Sequence, residues 1–260
     1  MKALVFDLDD TLWNSSKEIG PRTRKALDAW LASGREICLA TSRPIRMVRK
    51  FLPPELFQCC EIVTMNGVVQ HSRGEVSFKA NGIGEAARAI VTRFPAGSDL
   101  PVTLEVEGEH FSANVAWTDD ELMSRNAATR ELFIELDRLE YPAVRKVAIN
   151  GQTQRIAHLL PWLEALGVDA LLCSDATFIN VVARGVDKST TLARHFALKR
   201  WQRDEIAVFG DDWTDIAMMR LATHAIAVSN ARPEVKAVAT EVIAHCNDDG
   251  IGDYLQLWLR

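Results

Sequence analysis

Two aspartates, Asp7 and Asp9, directly follow the apolar run at residues 3–6, and this pattern constrains the chain more than any other. The run predicts a buried strand, in which side chains two residues apart point the same way. Because like charges close together out of water are costly, the pair needs a cation, a shared proton or both. The geometry suits one carboxylate as nucleophile and the other as acid/base, with a divalent cation neutralising the pair and an anionic substrate.

The composition is that of a globular protein with a substantial core. The chain has 260 residues, of which 48% are hydrophobic and 25% charged, enough for one large domain or two smaller ones. A net charge of −5 without a basic stripe argues against nucleic-acid binding. No apolar stretch is long enough to cross a bilayer, so we expect no membrane partner.

The cellular compartment is inferred from the N-terminus and the cysteines. The first residues enter a strand without the pattern of a signal peptide. The five cysteines are scattered, with no zinc-site spacing or disulfide framework. We therefore expect a cytoplasmic protein, and the sequence leaves its oligomeric state open.

Strand and helix patterns alternate at both ends of the chain. Apolar runs at 36–40, 62–65, 206–209 and 225–228 predict buried strands, each separated from the next by a helical pattern or turn signals. Alternation of this kind is typical of α/β proteins with a doubly wound, Rossmann-like parallel sheet. We assign residues 1–81 and 184–260 to this core.

Residues 82–183 have a different pattern and are expected to form an inserted α+β cap domain. An alternating hairpin at 103–107 and 111–115 turns at Gly108, with further strands at 144–149 and near 170–182. Helices are predicted at 84–93, 119–139 and 154–166. Thr103, Glu105 and Glu107 share one face of the hairpin. A solvated outer face is the ordinary expectation for them, and the alternative is that they face the active site and bind substrate hydroxyls.

Three further sets of polar residues follow predicted core strands or open a helix, at the edge where open α/β sheets bind ligands. Thr41 and Ser42 offer hydroxyls to a phosphate oxygen, and Lys188 offers a point charge to phosphate or to the nucleophile. The last set supplies carboxylates for a hard cation: Asp211, Asp212 and Asp215. Each alone could be a helix cap, a solvated side chain or a turn residue, but their joint occurrence is far more specific.

Four segments combine these residues: DLDDTL at 7–12, ATSR at 40–43, GVDKS at 185–189 and GDDWTD at 210–215. Together they make the chain resemble phosphatases of the haloacid dehalogenase (HAD) superfamily, most of all the Cof-type subfamily with a large α/β cap. The resemblance covers the whole core, and the predicted insertion lies where that family has its cap.

The resemblance implies a role for each matching residue. Asp7 would attack phosphorus to form an aspartyl phosphate, and Asp9 would be the acid and then the base. Thr41, Ser42 and Lys188 would bind the phosphoryl group. The implied cofactor is Mg²⁺, held by Asp7, the main-chain carbonyl of Asp9, and Asp211. Asp215 would orient water or Lys188.

The remaining candidates follow from details of the same motifs. Arg43 and Asn66 are possible substrate contacts. Asp212 is either a third acidic ligand or an exposed turn residue. The family commonly has Gly where Asp10 stands, which we expect to matter little. It commonly has Asn where Thr214 stands, which leaves phosphate affinity or substrate choice open.

These features predict a Mg²⁺-dependent hydrolase of a small-molecule phosphate ester, a sugar or polyol phosphate. The nearest alternative is a phosphosugar mutase on the same core, which returns the phosphoryl group to a sugar. A sensor that binds a phosphorylated ligand without catalysis is a weaker alternative, because every motif residue is retained.

Overall fold

A computed structural model of the protein describes residues 1–173 and 177–259, and these residues form two β-sheets with helices packed against them. The strands are β1 (Ala3–Phe6), β2 (Glu36–Ala40), β3 (Glu61–Thr64), β4 (Val69–Ser72), β5 (Glu75–Lys79), β6 (Val102–Val106), β7 (Phe111–Ala113), β8 (Val144–Asn150), β9 (Val168–Cys173), β10 (Phe178–Ala183), β11 (Ile206–Gly210), β12 (His224–Val228) and β13 (Glu241–Ile243). The α-helices are α1 (Pro21–Ala32), α2 (Ile45–Phe51), α3 (Pro54–Cys59), α4 (Gly84–Arg93), α5 (Asp119–Asn126), α6 (Thr153–Ile156), α7 (Leu160–Ala165), α8 (Lys188–Lys199), α9 (Ile216–Met219), α10 (Pro233–Val238) and α11 (Gly250–Leu255).

The larger sheet has the strand order β13-β12-β11-β1-β2-β3-β4-β5, and its six strands from β13 to β3 run parallel. Its central strand β1 is buried at every position, as a parallel sheet covered by helices on both faces requires. The carboxyl ends of β1, β2 and β11 therefore lie side by side. This confirms the doubly wound α/β core expected from the sequence.

A hairpin that the sequence analysis did not assign extends this sheet. Strands β4 and β5 pair antiparallel with each other, and β4 pairs antiparallel with β3. Their connection is Arg73-Gly74, both with positive φ, 52° and 81°. Two left-handed residues in succession match the twist of a tight hairpin turn, so the connection is short.

The smaller sheet is antiparallel, with the order β7-β6-β8-β10-β9. One face packs on α4, α6 and α7 through alternating apolar residues such as Leu104, Val147 and Ile149. All its strands lie between Val102 and Ala183, inside the range predicted for the inserted cap. The exact domain boundaries, 1–81 and 184–260 against 82–183, remain a prediction.

The bounds predicted for two long helices in this region are wrong. Instead of one helix over 119–139, α5 ends at Asn126, and Ala127 is left-handed with φ 50°. Ala128 is buried with Phe111 and Leu122, so tertiary packing overrides the local helical pattern. The helix predicted at 154–166 is interrupted before α7, where Pro161 supplies the first turn and no backbone donor.

No helix among residues 1–173 and 177–259 has the length and apolar character needed to cross a membrane.

Candidate active site

A cavity of about 670 Å³ lies between the carboxyl ends of the central core strands and the second face of the smaller sheet. The core side contributes Asp7, which follows β1, Ser42 and Arg43, which follow β2, and Asp211, which follows β11. Because the strands are parallel, their carboxyl ends lie at the same edge of the sheet, and residues far apart in sequence converge there.

Lys188, the first residue of α8, bridges two buried carboxylates. Its Nζ donates to Asp7 Oδ1 at 2.6 Å and to Asp215 Oδ1 at 2.7 Å. All three side chains are buried, so the two ion pairs of the ammonium group are largely shielded from solvent. The sequence offered Lys188 as a point charge for phosphate or for the nucleophile, and the structure places its ammonium group against Asp7; its role in phosphate binding stays a prediction.

Asp215 is fixed by the backbone of its own turn. Its Oδ2 accepts hydrogen bonds from the main-chain N–H groups of Asp211 and Asp212, each at 3.0 Å. A Cβ at Gly210 would approach the Asp215 Cβ to 2.6 Å, so glycine is required for this close fold of the chain. Both oxygens of Asp215 are therefore engaged, one by Lys188 and one by backbone.

The carboxyl groups of Asp7, Asp211 and Asp215 lie close together, so each raises the cost of a negative charge on the others. Burial raises the pKa of Asp7 well above its usual range, and the nearby Asp215 and Asp211 add to the effect against the opposing Lys188. Burial, with the Asp215 charge, also raises the pKa of Asp211 to about 8. For Lys188, burial disfavours the charged form, but Asp215 and Asp7 outweigh it and raise the pKa. The lysine stays an ammonium, and the excess carboxylate charge calls for a further cation.

The donor set fits a hard divalent cation. Ligand oxygens of Asp7, Asp211 and Asp215 all lie within 4.8 Å of one another. Because Asp215 already uses both oxygens, Asp7 and Asp211 are the carboxylates with capacity left for an ion such as Mg²⁺. A Mg²⁺ ion held by Asp7 and Asp211 would neutralise part of the negative charge of a bound phosphate ester.

Asp9 is held by two cations. Arg43 donates to both oxygens, from Nε at 2.6 Å and Nη2 at 2.8 Å, and Lys17 Nζ donates to Oδ1 at 2.6 Å. Burial raises the pKa of Asp9, but these bonds outweigh it and lower the pKa overall. Lys17 was not among the site residues predicted from the sequence. Its contact depends on a loop in which Lys17 itself is left-handed, with φ 62°, and no local pattern signalled that.

Thr41 and Asn66 lie below the cavity surface, whereas Ser42 lines it. The Thr41 hydroxyl accepts from the main-chain N–H of Arg43 at 3.1 Å, and within residues 1–173 and 177–259 its own proton has no acceptor. Asn66 is fully buried, and its main-chain N–H donates to the Thr41 carbonyl at 3.0 Å. Asn66 thus contacts the 41–43 segment on the side away from the cavity and is not among the residues that line it. Its role as a substrate contact stays a prediction.

Asp212 and Thr214 both line the cavity. Asp212 is half-buried, and its Oδ1 accepts a hydrogen bond from Arg232 Nε at 2.7 Å. It is therefore not an exposed turn residue, and its carboxylate has a charge partner.

Thr11, which was not predicted as a site residue, donates its hydroxyl to Asp211 Oδ1 at 2.6 Å. It orients that carboxylate toward the cluster.

The smaller sheet forms the roof of the cavity. Thr103 and Glu105 line the cavity, and Glu105 is buried. The expectation that these two residues lie on a solvated outer face is therefore wrong, and the alternative, that they face the active site, is correct. The hairpin is oriented this way because its other face packs on helices. Further roof residues were missed by the sequence analysis: Lys146, Ala148, Asn150, Phe178 and Asn180. The alternation of Lys146 and Asn150 with Val147 and Ile149 was the available signal.

Fold and site together define a hydrolase with a Rossmann-like core and an aspartate-lysine centre beneath a second sheet. The chain belongs to the haloacid dehalogenase-like hydrolase family, whose model matches residues 4–255.

Related proteins agree with this assignment. The HMP-PP phosphatase of Cronobacter sakazakii is 26% identical over 268 aligned positions, covering 98% of this chain and 94% of that protein. A Streptococcus mutans protein of known structure has a TM-score of 0.83 at 19% identity, covering 100% of this chain and 99% of that one. The HAD subclass IIB sugar phosphatase BT4131 has a TM-score of 0.81 at 23% identity, with 99% of each chain covered. The expected fold and family, and the class of enzyme, a phosphatase, are confirmed.

Proposed function

We propose that this chain is a Mg²⁺-dependent phosphomonoester hydrolase that acts on a small phosphorylated metabolite, a sugar or polyol phosphate, through an aspartyl-phosphate intermediate. The observation that carries the proposal is the buried Asp7–Lys188–Asp215 cluster beside Asp211. The roof over this cluster favours small substrates over folded proteins. The five free cysteines and the family's small-molecule chemistry support a cytoplasmic enzyme.

Asp7 is the proposed nucleophile. Lys188 bonds its Oδ1, which leaves the other oxygen to attack phosphorus while the ester P–O bond breaks. Lys188 and the main-chain and hydroxyl donors of the 41–43 segment would balance charge on the phosphoryl oxygens. Carboxylates at Asp7 and Asp211, with the Asp9 carbonyl, would hold Mg²⁺.

Asp9 is the proposed acid and base. It would give a proton to the leaving oxygen and then take one from the water that hydrolyses the aspartyl phosphate. Its pKa is low while Arg43 and Lys17 hold it as a carboxylate. A bound phosphate ester offers those two cations a competing anion, so substrate binding would free Asp9 and raise its pKa.

The test is release of inorganic phosphate from sugar, polyol, nucleotide and amino-acid phosphates, with Mg²⁺ and with EDTA. We expect metal-dependent release from a few sugar or polyol phosphates, and none from Asp7→Asn. Asp28→Asn, an exposed aspartate on α1 paired only with Arg24 in the described residues, is the matched control. Isomerised product on addition of a sugar bisphosphate, without phosphate release, would instead indicate a phosphomutase. Silence in both assays would contradict catalysis.

A further inference from the structure

The roof of the cavity contains a buried ammonium group that the proposed phosphoryl chemistry does not use. Lys146 in β8 is only 5% exposed, and its Nζ donates one hydrogen bond, at 2.7 Å, to the carbonyl of Ser42. An ammonium group has three donors. Two of them therefore have no partner within residues 1–173 and 177–259. Because an unpaired buried charge is costly, the arrangement calls for an anionic ligand.

The other cations of the cavity have carboxylate neighbours. Six cationic side chains line it: Lys17, Arg43, Arg125, Lys146, Lys188 and Arg232. Five of them lie within 4.0 Å of a carboxylate oxygen, Arg125 most loosely, at 3.8 Å from Glu121. Among the described parts of the chain, Lys146 alone of the six has no such carboxylate. The spare positive charge of the site is therefore in its roof.

The nearest roof carboxylate is already engaged. Glu105 lies directly opposite Lys146 in the pairing of β6 with β8. Both its oxygens accept from Arg46, at 2.6 and 2.9 Å. Burial lowers the pKa of Lys146 to about 8 in spite of the Glu105 charge, which shows how incompletely that charge compensates the ammonium.

Unsatisfied amide groups accompany this lysine. Asn180 is fully buried and lines the cavity, and its Oδ1 has no partner among the described residues, although its Nδ2 donates to Cys173. Asn126, at the end of α5, lines the cavity with a buried Nδ2 that likewise lacks a partner there. Buried amides are ordinarily hydrogen-bonded, so these atoms point to a polar ligand.

The roof faces the catalytic groups across one shared space. Lys146, Cys173 and Asn180 of the roof line the same cavity as Asp7, Lys188 and Asp212 of the core. A leaving group attached to a phosphoryl unit at Asp7 would extend toward the same roof.

We propose that Lys146 is a specificity-determining residue that binds a second anionic group, a phosphate or a carboxylate, on the leaving group of the substrate. Asn180 and Asn126 bond hydroxyls of the same leaving group. This inference rests on the proposed function and narrows its substrate class from neutral sugar or polyol phosphates to sugar bisphosphates or phosphorylated sugar acids.

The kinetic test uses pairs of esters that differ in one anionic group. Fructose 1,6-bisphosphate against fructose 6-phosphate tests a second phosphate, and 6-phosphogluconate against glucose 6-phosphate tests a carboxylate. We expect the wild type to prefer the anionic member of at least one pair. In Lys146→Met we expect the ratio of kcat/KM for the anionic member to kcat/KM for the neutral member to fall by about tenfold or more. The fall should come from a higher KM for the anionic member, because the free energy of a hydrogen bond to a charged group corresponds to about tenfold or more in affinity. Lys146→Arg retains most of the ratio, and Lys199→Met on the core surface is the control.

Binding measurements separate failure of this inference from failure of the proposed function. Asp7→Asn protein is titrated calorimetrically with both members of each pair, with and without Lys146→Met. Tighter binding of an anionic member that is lost with Lys146→Met supports the subsite even if no ester is hydrolysed. Equal affinities within both pairs, or an equal loss for both members in Lys146→Met, would overturn it.

Discussion

Arg46 of α2 and Glu105 of β6 form a bidentate ion pair, at 2.6 and 2.9 Å, that joins a helix beside the larger sheet to a strand of the smaller sheet. Their side chains are 3% and 9% exposed. The Arg46 guanidinium also lies 4.6 Å from the ring centre of Phe111 and donates to the carbonyls of Asn126 and Glu109. Separation of the roof from the core would have to break all these contacts together, so the pair holds the cavity in its covered form.

Removal of one partner of this pair leaves a buried charge alone. We expect Arg46→Met to lower the free energy of unfolding by about 3 kcal/mol or more. The double variant Arg46→Met/Glu105→Gln should recover part of that loss, because the amide carries no charge. Urea unfolding of both variants and of Glu105→Gln gives the coupling energy. A double variant as unstable as the sum of the singles would contradict a direct interaction.

Asp9→Asn should affect substrates unequally. If Asp9 protonates the leaving oxygen, alkyl phosphates depend on it and lose about 10³-fold in kcat, as general acids typically contribute. Aryl phosphates such as p-nitrophenyl phosphate leave readily as anions and should lose much less. Steady-state rates with both esters provide the measurement, with Asp28→Asn on the surface of α1 as control. Equal losses would remove the leaving-group half of the role assigned to Asp9.

The core and the centre of the site were predictable because their signals are local. A short apolar run predicts a buried strand, and the residue that follows it lies at the sheet edge. Asp7, Ser42 and Asp211 could therefore be placed together from sequence, and the structure has all three lining one cavity. From the residues alone Lys188 was a point charge for phosphate or for the nucleophile, and only the resemblance linked it to Asp215, since nothing in a helix start specifies which carboxylate it will meet.

The roof could not be predicted in the same way. Polar and apolar residues alternate along β6 and β8, which places the polar residues on one face of the sheet and the apolar residues on the other, but the sequence does not specify what covers each face. That choice is made by α4 and α7, which pack on the side of Leu104 and Val147. Long-range packing likewise decides the end of α5, where burial of Ala128 replaces the predicted helix.

Asp10 has a backbone conformation that favours glycine, with φ 58° and an exposed side chain. This explains the glycine that the family commonly has there. Because the left-handed region strains residues with a Cβ, Asp10→Gly should raise the free energy of unfolding by about 0.5–1 kcal/mol. Urea unfolding at constant pH measures it, with Asp10→Ala as the control that removes the carboxylate but keeps the strain. If Ala stabilised as much as Gly, charge and not backbone strain would be the cause.

The carboxyl cluster makes stability and Mg²⁺ binding depend on pH in opposite directions. Burial first, then Asp215, raises the pKa of Asp211 to about 8, against an ordinary value of 3.8. Between these values Asp211 holds a proton in the folded protein that it has released in the unfolded chain, so without Mg²⁺ the contribution of Asp211 to stability decreases as the pH rises toward about 8. Asp7, whose pKa is also raised, contributes with the same sign.

Mg²⁺ must displace the protons that these carboxyl groups retain, so its binding strengthens as the pH rises. We expect the increase in Tm produced by a fixed Mg²⁺ concentration to be small at pH 6 and larger at pH 8.5. In Asp211→Asn the Mg²⁺-dependent increase should be lost at both values, because one carboxylate ligand is gone. Thermal unfolding with Mg²⁺ or EDTA at each pH is the measurement. An increase in Tm that is the same at both pH values would show that the ion does not bind through Asp7 and Asp211.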